Sequence, residues 1–419
     1  MLSSVVMSWC LLMRVVVVGG GAAGFFGAIA CAQSDPDAEV TVLEASRTVL
    51  TKVKISGGGR CNVTHSCFEP AQLVQNYPRG NRALRGAMSR FQPRDTVAWF
   101  EQHGVRLKTE ADGRMFPVTN QSQTIIDCLL TAATQARVDV QTGTPVRSAI
   151  RSDSGCFQLT TKKKQSIDCD RLLVTTGNHP SGYRLANGLG HSLKPPVPSL
   201  FTFQVPDRRL HQLAGVSVPN ARIRLKLGQT KFEQQGPLLI THWGFSGPAV
   251  LKLSAWAARD LHRVGYEGDC QIHWLLELSA EDLRSLLLSV KQDVSRRKIW
   301  NHCPVDTPLR LWQYWTSQAQ IDAHKRWADL SKIELNRLVQ LITQGNFEIV
   351  GKGAFKEEFV TCGGVPLNEV NFKTLESRRC PGLFFAGEIL DVDGVTGGFN
   401  FQHAWTSGWL AGQAMGQTN

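Results

Sequence analysis

A run of β-branched residues, Arg14–Val18 (RVVVV), passes without a break into Gly19–Gly24 (GGGAAG), and this junction constrains the fold more than any other stretch of the chain. Consecutive valines closed by glycine are the pattern of a strand buried on both faces of a parallel sheet. The glycines have the G-x-G-x-x-G spacing, and each has its own steric duty. Gly19 permits a tight turn and Gly21 lets backbone approach a pyrophosphate. Gly24 lets the helix opened by Ala22 and Ala23 pack closely on its strand. Alanines carry that helix to about Ser34, Asp35-Pro36-Asp37 ends it, and Glu39–Glu44 (EVTVLE) reads as a second strand. Glu44 lies twenty positions beyond Gly24, where an acid can accept hydrogen bonds from both hydroxyls of an adenosine ribose. Its charge would repel a 2′-phosphate, so FAD or NAD is expected over NADP.

No second fingerprint with a following acid occurs, and the choice of cofactor rests on other segments. Gly351-Lys352-Gly353-Ala354 is the nearest imitation and reads as a loop, lacking a bracketing strand and ribose acid. Leu172–Gly177 (LLVTTG) ends a buried strand in the small-residue turn Thr176-Gly177, similar to the Thr-Gly strand end of two-dinucleotide-binding-domain flavoproteins. Before it, Val138–Ile150 alternates like an accessory strand, with Val146 a candidate for backbone contact with adenine. Near the C-terminus, Gly382–Gln402 (GLFFAGEILDVDGVTGGFNFQ) runs strand, Gly-acid, then a glycine-rich stretch opening a helix at about Ala404. A returning segment of this kind sets an acid beside a ribityl chain and aims helix amides at the flavin pyrimidine carbonyl. A plain NAD dehydrogenase has no use for it, so FAD is the expected cofactor.

Four stretches together carry a family resemblance: Ser56–Thr64 (SGGGRCNVT), Thr241–Pro248 (THWGFSGP), Thr361–Val365 (TCGGV) and Gly387–Asn400 (GEILDVDGVTGGFN). From about Arg14 to the C-terminus the chain resembles the YhiN/BaiN-type flavoproteins. The resemblance implies FAD and an α/β fold: a discontinuous Rossmann-like FAD domain of the two-dinucleotide-binding type with an inserted domain. It places Gly19, Gly21, Gly24 and Glu44 at the adenosine diphosphate half of FAD, Gly59, Arg60, Cys61 and Asn62 by the flavin, and Glu388, Asp391, Gly397, Gly398 and Asn400, with Gly387, around the ribityl and pyrimidine portions. One departure stands out: the loop after the Thr-Gly strand end is only Asn178–Tyr183, shorter than in many members.

The expected layout is an FAD domain of residues 14–190 and 346–419 around an insertion of 191–345. The insertion opens at Lys194–Pro198 (KPPVP), continues in alternating stretches such as Ala221–Leu227, and turns helical over Ala280–Val294 and Asp329–Ile342. Residues 1–13 read as a dispensable extension, with Met7 or Met13 as an alternative start. No apolar run reaches membrane-spanning length, so no membrane partner is expected. Eleven cysteines, an odd number without repeating spacing, point to a reducing, cytoplasmic setting rather than a disulfide scaffold.

Two side chains are candidates for chemistry beside the flavin. Cys61 could protonate a substrate carbon or exchange electrons with Cys67, although a buried inert cysteine is the commoner fate. His242 has the near-neutral intrinsic pKa suited to acid–base work, and a structural histidine in a glycine-rich turn is the competing reading. No paired Cys or His spacing suggests a metal.

Activities attributed to the family are chemically far apart: oxidation of aminoacetone-like amines, reduction of bile acids, and formation of dihydrouridine in ribosomal RNA. The chain carries 46 Lys and Arg against 35 Asp and Glu, a net charge of +11, which suits an anionic partner or a solvated surface. Arg79, Arg82, Arg85, Arg90 and Arg94 crowd one stretch, the first three at i, i+3 spacing, and Lys162–Lys164 and Arg296–Lys298 add two further clusters. The leading reading is reduction of a uridine in ribosomal RNA, with NAD(P)H as a transient reductant. Oxidoreduction of a small-molecule amine or enone, with oxygen or NAD(P), and non-catalytic RNA binding with structural FAD are the alternatives. Seven of the eleven tryptophans fall in the insertion, where packing in a small core competes with stacking on bases.

Overall fold

In the computed structural model, residues 12–353 and 360–417 are described. Residues 1–11 of the expected extension, and Ala354, lie outside them. The chain divides into two units: residues up to Pro196 joined by those from Thr361, and Val197–Val360.

The first unit is built on a mainly parallel sheet. Arg14–Val18 lies at its centre between Arg171–Val174 and Glu39–Leu43, with Val18 in register with Val174 on one side and Leu43 on the other. Leu383–Phe385 extends the sheet beyond Arg171–Val174, and Asp139–Gln141 closes the far edge, both parallel. Two short antiparallel strands, Val370–Asn371 and Glu376–Ser377, finish the opposite edge. Val15–Val18 are all buried, and each such side chain contributes about 1.5–3 kcal/mol relative to exposure. Val138–Ile150 proves to be two elements: Asp139–Gln141 joins the parallel sheet, and Val146–Arg151 begins a separate three-stranded antiparallel meander.

The first helix, Ala22–Ser34, and the closing helix, Phe399–Gly416, pack along a seam of glycines. A Cβ on Gly408 would lie 2.6 Å from the Ala23 carbonyl oxygen, and one on Gly412 would collide with the Gly27 carbonyl. The two backbones therefore touch, which fixes the N-terminus of the closing helix relative to that of the first. The closing helix starts at Phe399, ahead of the expected Ala404. Gly398, at φ +92°, takes the left-handed conformation that only glycine adopts cheaply and serves as its N-cap.

The second unit is an antiparallel sheet in the order Gly345–Ile349, Gly268–His273, Ser217–Leu227, Thr230–Thr241, Gly244–Ser246, Phe203–Gln204, Gly351–Lys352. Along Ser217–Leu227 the buried residues Ala221, Ile223, Leu225 and Leu227 alternate with Arg222, Arg224 and Lys226, the period-two pattern of a half-buried strand. Helices Ala280–Asp293 and Lys332–Gln344 each start at a serine capping box, Ser279 with Asp282 and Ser331 with Glu334. Two expectations need correction. The insertion extends past 345, because Gly345–Ile349 pairs antiparallel with Gly268–His273 and stays in its sheet. Gly351–Lys352 is not a loop but a short strand paired with Phe203–Gln204. Trp274, Trp312, Trp315 and Trp327 are fully buried in this unit's core, so packing is the role the fold gives them.

Candidate functional site

The three fingerprint glycines occupy three different environments. Gly19 turns at φ +116°, and a Cβ there would lie 2.6 Å from the Thr175 carbonyl oxygen. On Gly24 it would collide with the Gly19 carbonyl and lie 2.7 Å from Thr175 Oγ1, whereas on Gly21 it would meet no protein atom within 4 Å. Open space thus lies in front of the first helix, whose N-cap, Gly21, supplies no side-chain acceptor to the first-turn amides. Unsatisfied amides at the positive end of a helix dipole form an anion site. Beside them, Glu44 stands at the end of its strand with both carboxylate oxygens oriented by backbone, accepting from Gly20 N and Ser46 N at 2.8 Å each. Gly20, which sequence reasoning passed over, is thus the residue that aims the acid.

The Ser56–Asn62 loop is a second concavity. The helix Thr51–Gly59 is broken at Ser56, after which Gly57, Gly58 and Gly59 follow one another at φ +56°, +68° and +82°. Gly58 and Gly59 face open space. Arg60 turns its side chain away: its guanidinium pairs with Glu110 at 2.6 Å and lies 4.0 Å over the Phe116 ring. Cys61 is fully buried, and burial pushes its thiol up to about 12. It and Cys67 are unpaired thiols. A thiol so protonated is a poor nucleophile or electron donor at neutral pH, and a side chain closed off on every side has no access to a substrate carbon, so burial favours the packing role for Cys61 over the catalytic one. Asn62 ties the loop to the closing helix, donating to the Thr64 carbonyl at 3.0 Å and accepting from Gly398 N at 2.9 Å.

The returning segment supplies the third part. Glu388 accepts from Thr361 N at 2.8 Å and pairs with Lys52 at 2.6 Å. Lys52 also donates to Asn178 Oδ1 at 3.2 Å, and Asn178 Nδ2 to Thr361 Oγ1 at 2.9 Å, closing a ring that includes three residues not foreseen from sequence. Gly177 turns at φ +59° beside this ring; a Cβ there would lie 3.6 Å from Glu388 Oε2. Asp391 is buried and paired with Lys194 at 2.8 Å. The Asn400 side chain is spent on its own loop, accepting from Gly394 N at 2.8 Å and donating to Gly394 O at 2.9 Å. Gly387 N donates to Ser407 Oγ at 2.9 Å, and buried His403, held at about 4 by desolvation, places Nε2 3.2 Å from Gly387 O. Gly397, at φ +131°, leads into Gly398 and the uncapped N-terminus of the closing helix. Val146 is the buried first residue of its meander strand.

The first unit thus offers two helix N-termini without a side-chain cap, an acid oriented by backbone amides, and a glycine loop open to space. Among its described residues four buried side-chain polar atoms lack a partner, Gln92 Oε1, Thr176 Oγ1, Tyr183 Oη and His403 Nδ1, the last three on the strand-end loop, the helix after it and the closing helix. That donor set fits an extended dinucleotide cofactor. Gly21 and the first-turn amides would take its pyrophosphate, Glu44 its adenosine ribose, and Glu388 and the closing-helix amides its far end. His242 is not part of this unit. It is exposed in the turn between Thr230–Thr241 and Gly244–Ser246 of the second unit. Among the described residues, no helix is long and apolar enough to cross a membrane.

Glu44→Ala is expected to weaken FAD binding about 10–100-fold, because hydrogen bonds to a charged group are worth about 1.5–3 kcal/mol. Titrating FAD into the flavin-free protein and following quenching of flavin fluorescence measures it. Wild-type affinity in the variant would show that the ribose is held elsewhere.

The HI0933-like protein Rossmann domain family matches residues 13–414. Among curated proteins, a 3-dehydro-bile acid delta(4,6)-reductase from Clostridium scindens is 29% identical over 96% of this chain and 99% of its own. A ribosomal RNA dihydrouridine synthase from Escherichia coli is 29% identical over 96% of this chain and 97% of its own. Among solved structures, the 3-ketosteroid-delta4-(5alpha)-dehydrogenase of Rhodococcus jostii superposes with a TM-score of 0.51 at 13% identity, covering 99% of each chain, a likeness of fold.

Proposed function

The chain belongs to the HI0933-like Rossmann-domain family and is an FAD-dependent oxidoreductase, and on that premise we propose that it reduces the C5–C6 bond of a uridine in ribosomal RNA, with NAD(P)H as the electron source. One relative is named for reducing a 3-dehydro-bile acid and another for making dihydrouridine in ribosomal RNA. A single chemistry serves both: hydride and a proton add across a double bond conjugated to a carbonyl. FAD, when bound and reduced by NAD(P)H, would supply the hydride. The protein's part is to hold substrate and cofactor in register and to keep charge compensated around them. Glu388, held by Thr361 and Lys52, and the amides of the closing helix would serve the second task.

The observation that carries the RNA reading is a cationic rim around an apolar groove on the FAD unit. Ala83, Gly86, Ala87 and Phe372 form the groove with Arg90, Lys373 and Arg378 beside it. Arg82 and Arg85 are exposed on the adjoining helix Asn81–Met88. Phosphates suit such a rim, and an unstacked base suits the apolar floor.

The test is anaerobic bleaching of the flavin absorbance by NADH or NADPH, followed by addition of unmodified large-subunit ribosomal RNA. Reoxidation of the flavin, with dihydrouridine appearing in the RNA by mass spectrometry, is expected. In the Arg82→Ala/Arg85→Ala double variant, RNA affinity should fall about tenfold near 0.1 M salt, and the slope of log K against log salt should flatten by roughly 1–2. Reoxidation by a steroid enone with indifference to RNA would instead establish the small-molecule reading, which the bile-acid reductase favours.

A further inference from the structure

We propose that Tyr183 is a cofactor-binding residue whose hydroxyl donates a hydrogen bond to FAD beside Glu388, an assignment that rests on the FAD site described above. Tyr183 lies in the helix Pro180–Gly188, which begins directly after the strand-end loop at Thr176-Gly177. Gly182 brings this helix against both walls of the site. A Cβ on Gly182 would collide with Thr176 Oγ1 and come within 3.0 Å of Ile389 Cδ1, so the helix rests on the strand-end loop and on the segment that carries Glu388. Tyr183 is 8% exposed, and its Oη is buried without a hydrogen-bond partner among the described residues. Thr176 Oγ1, on the same wall, is buried and equally unpartnered.

A buried hydroxyl that meets no acceptor destabilises the fold that contains it, and phenylalanine would fill the same space without that cost. None of the described residues supplies the acceptor, and that role falls to the cofactor. Burial first, and then the nearby carboxylates of Glu388 and Asp391, raise the phenol's pKa, so it stays protonated and can only gain by donating. Both carboxylates already have cationic partners: Glu388 pairs with Lys52, and Asp391 with Lys194. The portion of FAD that Glu388 would meet is rich in hydroxyl and carbonyl oxygens, and these are the acceptors a protonated phenol lacks here.

The experiment compares wild type, Tyr183→Phe and Thr176→Val as full-length proteins, each freed of flavin and titrated with FAD. For Tyr183→Phe, FAD affinity is expected to fall about tenfold while the flavin-free protein melts at the wild-type temperature or above, since an unpaired hydroxyl has been removed. The rise in melting temperature on adding FAD should shrink accordingly. The flavin bands of the loaded variant should shift, which a merely structural tyrosine would not cause. Unchanged FAD affinity and bands in Tyr183→Phe, with wild type binding tightly, overturn the assignment, and a KM effect confined to substrate would move the hydroxyl's partner there. Wild type that fails to bind FAD overturns the site reading itself. Thr176→Val should weaken FAD in the same direction, and its failure to do so would argue against a shared polar wall.

Discussion

Gly24→Val is expected to give a protein that retains no FAD and melts well below wild type, whereas Gly21→Ala should keep the fold and bind FAD more weakly. The two glycines sit three positions apart in one motif, yet their surroundings predict opposite kinds of damage. At Gly24 any side chain would run into the Gly19 carbonyl and lie 2.7 Å from Thr175 Oγ1, so the helix must lift off its strand. Overpacking of this kind costs about 1–3 kcal/mol, and against backbone the upper end applies. At about 2–4 °C per kcal/mol the melting temperature should fall by roughly 5–10 °C. Lifting the helix also moves the amides that would take the pyrophosphate. At Gly21 the backbone is extended, at φ −92° and ψ −169°, and no protein atom lies within 4 Å of the Cβ position. Alanine there strains nothing in the protein and only fills the space where a phosphate would approach. Its affinity for FAD should drop at least about tenfold, with the melting temperature of the flavin-free protein unchanged. Thermal denaturation with and without FAD separates the two effects, and full FAD affinity in Gly21→Ala would place the pyrophosphate elsewhere.

The fingerprint was legible because its constraints are local. Strand, turn, helix and acid all lie within the thirty-one residues from Arg14 to Glu44; Gly19 and Gly24 answer to backbone a few positions away or at the end of the neighbouring strand, and Gly21 faces open space. The Lys52–Glu388–Thr361–Asn178 ring was not legible: its members come from four separate stretches, and an exposed lysine on a short helix carries no local sign of a distant glutamate. Arg60 and Asn400 show the converse. Both sit in motifs expected to face the flavin, but Arg60 is taken by Glu110 and Phe116, and Asn400 by its own loop. A motif thus locates a segment more securely than it assigns its side chains. The misplaced end of the insertion has a comparable cause. Gly345–Ile349 follows its helix without a break, and only its pairing with Gly268–His273 keeps it with the inserted sheet.

Arg79→Met is expected to be the most destabilising of the arginine substitutions, although sequence spacing grouped it with Arg82 and Arg85 as one basic face. Arg79 precedes the helix and makes a two-pronged pair with Asp393, which is fully buried. Removing one partner of a buried pair strands the other charge and costs about 3–5 kcal/mol, while replacing both by apolar groups of similar volume is close to neutral. The Arg79→Met/Asp393→Leu double variant should therefore recover most of the loss, and urea denaturation of the three proteins measures the coupling. Cofactor retention should follow stability in the single variant, because Asp393 lies in the segment that feeds the closing helix. The neighbouring turn holds that segment at two more points: Val395 N donates to Asn76 O at 2.8 Å, and Tyr77 Oη donates to Phe399 O at 2.7 Å. Loss of the ion pair frees the glycine-rich stretch that sets where the helix amides begin. Arg82→Ala and Arg85→Ala, by contrast, should leave the urea midpoint unchanged and act only on RNA affinity. An Arg79→Met protein with wild-type stability would show that Asp393 accommodates its charge by other means, and the start of the closing helix would then rest on its glycine seam with the first helix and on the neighbouring turn.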